Sequence, residues 1–333
     1  MKLLEVKRLI TAFPGPQGTL YPVVDDVSFE LESGETVGLV GESGSGKTMT
    51  ALSILNLVAP PGKITSGKVL FEGRDLLQLG KKEMRQIRGK DIAMIFQEPM
   101  SALNPVLPIG KQLIEVVRAH TSCSPAEAHG RSVELLERVG MTMAAKRMAS
   151  YPHQLSGGMK QRVVIAMALM CSPRLLLADE PTTALDVTIQ AQVLEILEAL
   201  EASIHISMLL ITHDLSLIAG MARRVLIMYA GQIVETGPVG SIYAEPLHPY
   251  TRGLLKAVPD VRRRGPMYFI PGDLPDIWDM PGGCRFSPRC ERVERTCRET
   301  PPALEPVGPG RMLRCPVVGR EAAAAGKSEI AAR

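Results

Sequence analysis

Apolar residues recur along this chain at more than one period, and the changes of period divide it into elements. Residues 3–10 alternate loosely between apolar and polar, and residues 23–32 do so again with Val24, Val27, Phe29 and Leu31 on one side. Alternation of that kind marks half-buried strands, so an antiparallel β-ribbon is expected at the start. The stretch 13–21 between them is rich in Pro and Gly and reads as a loop. Short apolar runs follow at 36–40, 92–96, 174–178 and 206–212, with the length and composition of buried strands. A helix is expected from Met49, a strand near 67–72 and a charged helix near 81–88. From about 99 to 150 the spacing becomes helical, most clearly in 110–120 and 126–139, which reads as a helical insertion in an α/β core. A long apolar helix is expected over 163–170, and residues 225–235 read as a closing hairpin that turns at Ala230-Gly231.

The first apolar run leads straight into Gly41, Glu42, Ser43, Gly44, Ser45, Gly46, Lys47 and Thr48. Strand, Gly-rich loop and helix in that order form a phosphate-binding loop. Glycines let several backbone N–H groups point into one concavity, and the helix N-terminus adds its positive dipole. Lys47 is then placed to reach the outer phosphates and the Thr48 hydroxyl to ligate Mg2+. In the preceding loop Phe13 or Tyr21 offers an aromatic face to a nucleotide base, although packing of either ring onto the sheet is an equal expectation.

Other strand ends carry matching chemistry. The run 92–96 delivers Gln97, whose side-chain carbonyl suits a metal ion or the attacking water. The run 174–178 delivers Asp179 and Glu180, which fit the Mg2+-side carboxylate and the general base of a phosphate-loop NTPase. The run 206–212 delivers His213, suited to a γ-phosphate and to holding Glu180 and the water in line. Ser156, Gly157 and Gly158 open a helix and form a second anion-binding feature. A single nucleotide held by the first loop cannot readily use it, which suggests a nucleotide shared between two subunits. Asp186 stands near the start of a helix opened by Ala184 and Leu185, where a carboxylate is favoured.

With these residues in this order, over about 1–240, the chain resembles the ATP-binding subunit of an ABC transporter. The stretches 97–105, 248–255, 270–272 and 283–290 narrow the likeness to the di- and oligopeptide (and nickel) importer branch, although Glu291 stands where that branch often has proline. The resemblance implies an α/β fold, with a P-loop NTPase core, an N-terminal antiparallel β-subdomain, a helical subdomain at about 99–165 and a small irregular Cys-rich extension. It places the ATPase domain at 1–255, the extension at 256–320 and a flexible tail at 321–333. It implies ATP with Mg2+, held by residues 41–48, Tyr21 or Phe13, and Asp186, with Thr48, Gln97 and Asp179 on the metal. It implies head-to-tail dimerisation, each ATP lying between one P-loop and the other subunit's Ser156, Gly157 and Gly158. Partners implied are a related second ATPase, two membrane permeases and, indirectly, an extracytoplasmic solute-binding protein. Import of peptides, or of nickel or another small solute, is the expected function. A soluble ABC ATPase of DNA repair or translation is disfavoured, because neither heptads nor an internal repeat is present.

Composition adds exclusions and one further feature. A net charge of +3 gives no case for nucleic-acid binding, and the short basic run Arg262-Arg263-Arg264 reads as a solvated linker. No apolar run reaches the roughly 18 residues of a membrane span, and the start lacks a signal-peptide core. The expected place is the cytoplasmic face of the membrane. Of six cysteines, Cys123 and Cys171 read as packing residues, whereas Cys284, Cys290, Cys297 and Cys315 cluster in a Pro- and Arg-rich stretch. That stretch has little apolar surface to bury, and a four-thiolate metal site would order it. The spacing C-x5-C-x6-C-x17-C contains no C-x2-C, which weakens a zinc ribbon. The resembled branch includes members with a 4Fe-4S cluster, which four cysteines on loops suit.

Overall fold

A computed structural model describes residues 1–97, 102–183, 186–258 and 268–321. Residues 98–101, Ala184, Leu185, the basic run at 262–264 and the tail from 322 lie outside the described residues. The chain forms two compact units. One comprises Met1–Leu3, Leu31–Glu35 and Gln78–Leu210, the other Leu4–Glu30, Thr36–Leu77 and Ile211–Arg333.

In the first unit residues 207–210 of the strand Ser207–Thr212 lie beside Leu175–Asp179, which lies beside Ile92–Ile95. The last two run parallel, with Ile92 opposite Leu175 and Ile95 opposite Ala178. Every residue of Ser207–Thr212 and Leu175–Asp179 is buried. A strand covered on both faces needs apolar side chains on both, so these runs show no alternation. The helices Ile109–His120 and Pro125–Arg138 begin one residue before their expected positions. Pro125–Arg138 is started by a reciprocal cap, in which Glu127 N–H donates to Ser124 Oγ at 3.3 Å and Ser124 N–H to the Glu127 carboxylate at 2.7 Å. The helix Gly157–Leu169 begins six residues ahead of the expected 163. Two glycines and a polar turn hide its start in the sequence, and Ser156 caps it instead.

The second unit holds an antiparallel sheet in the order Leu20–Glu32, Lys2–Pro14, Lys63–Phe71, Arg74–Asp75. Leu4 lies opposite Phe71 and Val6 opposite Val69, with register shifts between Lys7 and Ile10 and between Ile10 and Thr11. Its other strands run in the order Glu305–Gly308, Arg311–Leu313, Gln232–Pro238, Arg224–Tyr229, Thr36–Val40. Thr36–Val40 is parallel to Arg224–Tyr229, Val37 facing Arg224. The expected hairpin turns at Ala230 and Gly231, both with positive φ (43° and 85°). The Cys-rich stretch is less irregular than its sequence implies. It contributes the hairpin strands Glu305–Gly308 and Arg311–Leu313, and the latter continues the sheet with Leu313 opposite Glu235. Strands of three and four residues are too short to display a period. Among the described residues no helix is long and apolar enough to cross a membrane.

Candidate functional site

The phosphate loop lies in the second unit, between the fully buried strand Thr36–Val40 and the helix Lys47–Ile54. Its glycines are required by space and by dihedral angle. A Cβ at Gly41 would come within 2.1 Å of Met228 O, and one at Gly46 within 2.7 Å of Val23 O. Gly44 and Gly46 have φ of +79° and +103°, in the region that side chains disfavour. Lys47 is 4 % exposed, and its Nζ donates to Gly41 O at 2.8 Å and Glu42 O at 2.9 Å. Ser43, Gly44 and Thr48 are exposed, while Ser45 is buried and its carbonyl accepts from Gly231 N–H at 2.8 Å.

The two aromatic candidates separate. Phe13 is packed over Gly62, where a Cβ would meet its ring at 2.5 Å. Tyr21 meets Trp278 edge to face, with ring centroids 4.6 Å apart, and both rings lie over Gly15. His213 also belongs to this unit, exposed at the end of Ser207–Thr212. The next residue, Asp214, caps the helix Leu215–Met221 through Ser216 N–H.

In the first unit Leu175–Asp179 ends in the buried Asp179 and leads to Glu180. Glu180 has a φ of +46°, a conformation that costs a non-glycine residue about 1–3 kcal/mol and often marks a functional position. Its Oε2 accepts from Thr183 Oγ1 at 2.6 Å and from Gln97 Nε2 at 3.3 Å. The sequence-predicted Gln97 and Glu180 are therefore brought together. Ser156 and Gly157 are exposed at the start of Gly157–Leu169, and Ser156 Oγ accepts from Met159 N–H at 3.3 Å. Gly158 is buried, and a Cβ there would come within 2.8 Å of Ile189. Asp186 is the N-cap of the helix Val187–Ile204, accepting from Ile189 N–H at 2.9 Å.

All four clustered cysteines line one cavity in the second unit, together with His248 and Phe286. Burial, then the neighbouring Cys315, Cys297 and Cys290, pushes the Cys284 thiol up to about 11. Burial also raises Cys290 and Cys315. Opposing this, backbone N–H groups of Phe286, Arg292, Val318 and Val317 bond to the sulfurs of Cys284, Cys290 and Cys315 and favour thiolate. Among the described residues no group of three or more His, Cys, Asp or Glu side chains is placed to hold a metal ion. Burial drives the neighbouring His248 down to about 3, so it stays neutral.

Sequence reasoning missed Arg289, Arg285 and Trp278. Arg289 pairs with Glu42 of the phosphate loop, and Arg285 with Asp25. No local pattern announces an ion pair between residues 247 positions apart.

The chain matches a family model described as ABC transporter over residues 24–183, and one described as oligopeptide/dipeptide transporter, C-terminal region, over 234–297. It is 48 % identical over 314 residues to the oligopeptide transport ATP-binding protein OppD of Salmonella typhimurium, covering 94 % of this chain and 93 % of that one. It is 45 % identical to the dipeptide transport ATP-binding protein DppD of Escherichia coli, covering 95 % and 96 %. Oligopeptide transport ATP-binding protein AppD of Bacillus subtilis is 49 % identical, covering 94 % and 96 %. Among solved structures, the dimeric post-hydrolysis ATP-binding cassette MJ0796 bound to ADP and Pi is similar at a TM-score of 0.64. Its identity is 26 %, over 71 % of this chain and 98 % of that one.

Proposed function

The chain belongs to the ATP-binding proteins of ABC transporters, in their oligopeptide and dipeptide branch, and from that premise we propose that it hydrolyses ATP to power peptide import. The observation that carries this reading is the presence, in one chain, of the transporter ATPase match and the peptide-transporter C-terminal match. We propose the ATPase domain at 1–255, the extension at 256–320 and the tail beyond. ATP is held by residues 41–48, with Tyr21 as the base platform in preference to Phe13, whose ring is taken up by Gly62. Thr48, Asp179 and Gln97 present a hydroxyl, a carboxylate and an amide oxygen, a hard donor set that fits Mg2+. When bound, the ion supplies neutralisation of phosphate charge.

Glu180 is the base that takes the proton of the attacking water, and His213 orients the γ-phosphate. Glu180 is held ready by Thr183 and Gln97. Ser156 and Gly157, exposed at a helix start, face the nucleotide of a second ATPase subunit, with Asp186 near the shared site. That second subunit is related rather than identical, and closure of the pair is passed to two permeases by the helical segment. The chain sits at the cytoplasmic face of the membrane, and peptide arrives through an extracytoplasmic binding protein. In membranes carrying the assembled complex, peptide-loaded binding protein is expected to raise ATP hydrolysis several-fold. Stimulation by nickel and not by peptide would move the chain to the other solute of its branch.

A second reading concerns the cysteines. Four thiols on one cavity, with backbone N–H groups directed at three of them, support a 4Fe-4S cluster. Protein purified without oxygen is expected to contain about four irons and four acid-labile sulfides per chain, with visible absorption. Zinc alone, or no metal, would refute the cluster and leave the ATPase assignment standing.

A further inference from the structure

Glu42 is an anion inside a loop that holds anions. Left alone, its carboxylate would repel the phosphate chain that Lys47 and the backbone N–H groups attract. Arg289 counters it at two points, with Nη1 2.8 Å from Glu42 Oε2 and Nη2 3.1 Å from Oε1. The Arg289 side chain is only 6 % exposed and that of Glu42 28 %, so solvent screens the pair incompletely.

The guanidinium is itself fixed. Its Nε donates to Pro271 O at 2.9 Å and its Nη2 to Ile270 O at 3.2 Å, and it lies over the rings of Tyr229 and Phe286. On the loop side, Glu42 N–H donates to Tyr250 Oη at 2.9 Å. The residue after Arg289 is Cys290, one of the four thiols on the cavity, and Phe286 lines the same cavity. The pattern repeats once: Arg285 follows Cys284 and bonds Asp25 and Ala230 O, and the adjoining Gly231 N–H donates to Ser45 O. Two arginines flanking thiols of the cavity thus hold the phosphate loop and its surroundings.

We propose that Arg289 is a positioning residue for ATP, neutralising Glu42 and turning it from the phosphates. The proposal rests on the nucleotide-site reading above and adds a positioning residue to it.

The test is the affinity of the full-length chain for a fluorescent N-methylanthraniloyl-ATP with Mg2+, alongside thermal unfolding. Arg289→Ala is expected to bind about tenfold more weakly than the parent. The loss caused by Arg289→Ala is expected to shrink to about twofold when it is measured in a Glu42→Ala background, because the repelling carboxylate is gone. A merely structural pair loses and regains thermal stability in the same cycle without a matching change in ATP affinity, and equal or additive losses of affinity would overturn the proposal. Should Arg289→Ala fail to fold, Arg289→Gln runs the same cycle with less lost volume.

Failure of the underlying reading looks different: if the parent chain itself does not bind the nucleotide, the phosphate-loop assignment is wrong. An additive cycle with intact parental binding removes only the role of Arg289.

Discussion

Glu180→Gln is expected to bind ATP, trap a closed pair of ATPase subunits and release phosphate about 10³-fold more slowly than the parent, the usual scale for a lost general base. The side chain stands just past the buried strand Leu175–Asp179, at a backbone φ of +46°, and its Oε2 is fixed by Thr183 and Gln97. Glutamine keeps the size and one oxygen acceptor, so the local hydrogen bonds survive. What it cannot do is accept a proton from water at neutral pH. Binding and closure therefore proceed while the chemical step stalls. Phosphate release and size-exclusion chromatography with ATP measure the two effects, and parental turnover by this variant would remove Glu180 from the role of base.

Lys47→Ala should weaken nucleotide binding strongly and abolish peptide uptake. The ammonium is buried and donates to the carbonyls of the consecutive residues Gly41 and Glu42 at the start of the loop. Removing it releases two carbonyls bonded to a charged donor and takes away the positive charge nearest the expected phosphates. At about 1.5–3 kcal/mol for each hydrogen bond to a charged group, the loss of ATP affinity is roughly 10²-fold or more. Titration with the fluorescent nucleotide reads this directly. Affinity within about threefold of the parent would contradict the placement of the phosphates at this loop.

The parts of the site that the sequence made legible are those encoded locally. A glycine-rich loop between a buried strand and a helix announces itself within about fifteen residues, and so do Gln97, Glu180 and His213 at strand ends. Element limits were less readable where one face is exposed. The strand Lys63–Phe71 begins four residues before the expected 67, because Lys63, Thr65 and Ser66 are exposed and carry no apolar signal. The helix Gly157–Leu169 begins ahead of its apolar run for a similar reason, Met159 being the one apolar residue among its first six. Tyr21 and Phe13 were equivalent as loop aromatics, and only the packing of Phe13 on Gly62 and of Tyr21 on Trp278 separates them. The Arg289–Glu42 pair, the continuation of the sheet by Arg311–Leu313 and the shared cavity of the four cysteines are products of tertiary packing. Contacts between residues far apart in the chain leave no pattern in a single sequence.

The most direct test of the central claim is accumulation of a labelled oligopeptide in vesicles carrying the two permeases, both ATPase subunits and the binding protein. Accumulation is expected only with hydrolysable ATP, and is expected to vanish with Lys47→Ala or Glu180→Gln in this chain. Peptide accumulation that persists without ATP or with either variant, or ATP-driven accumulation of another solute in its place, would contradict the account.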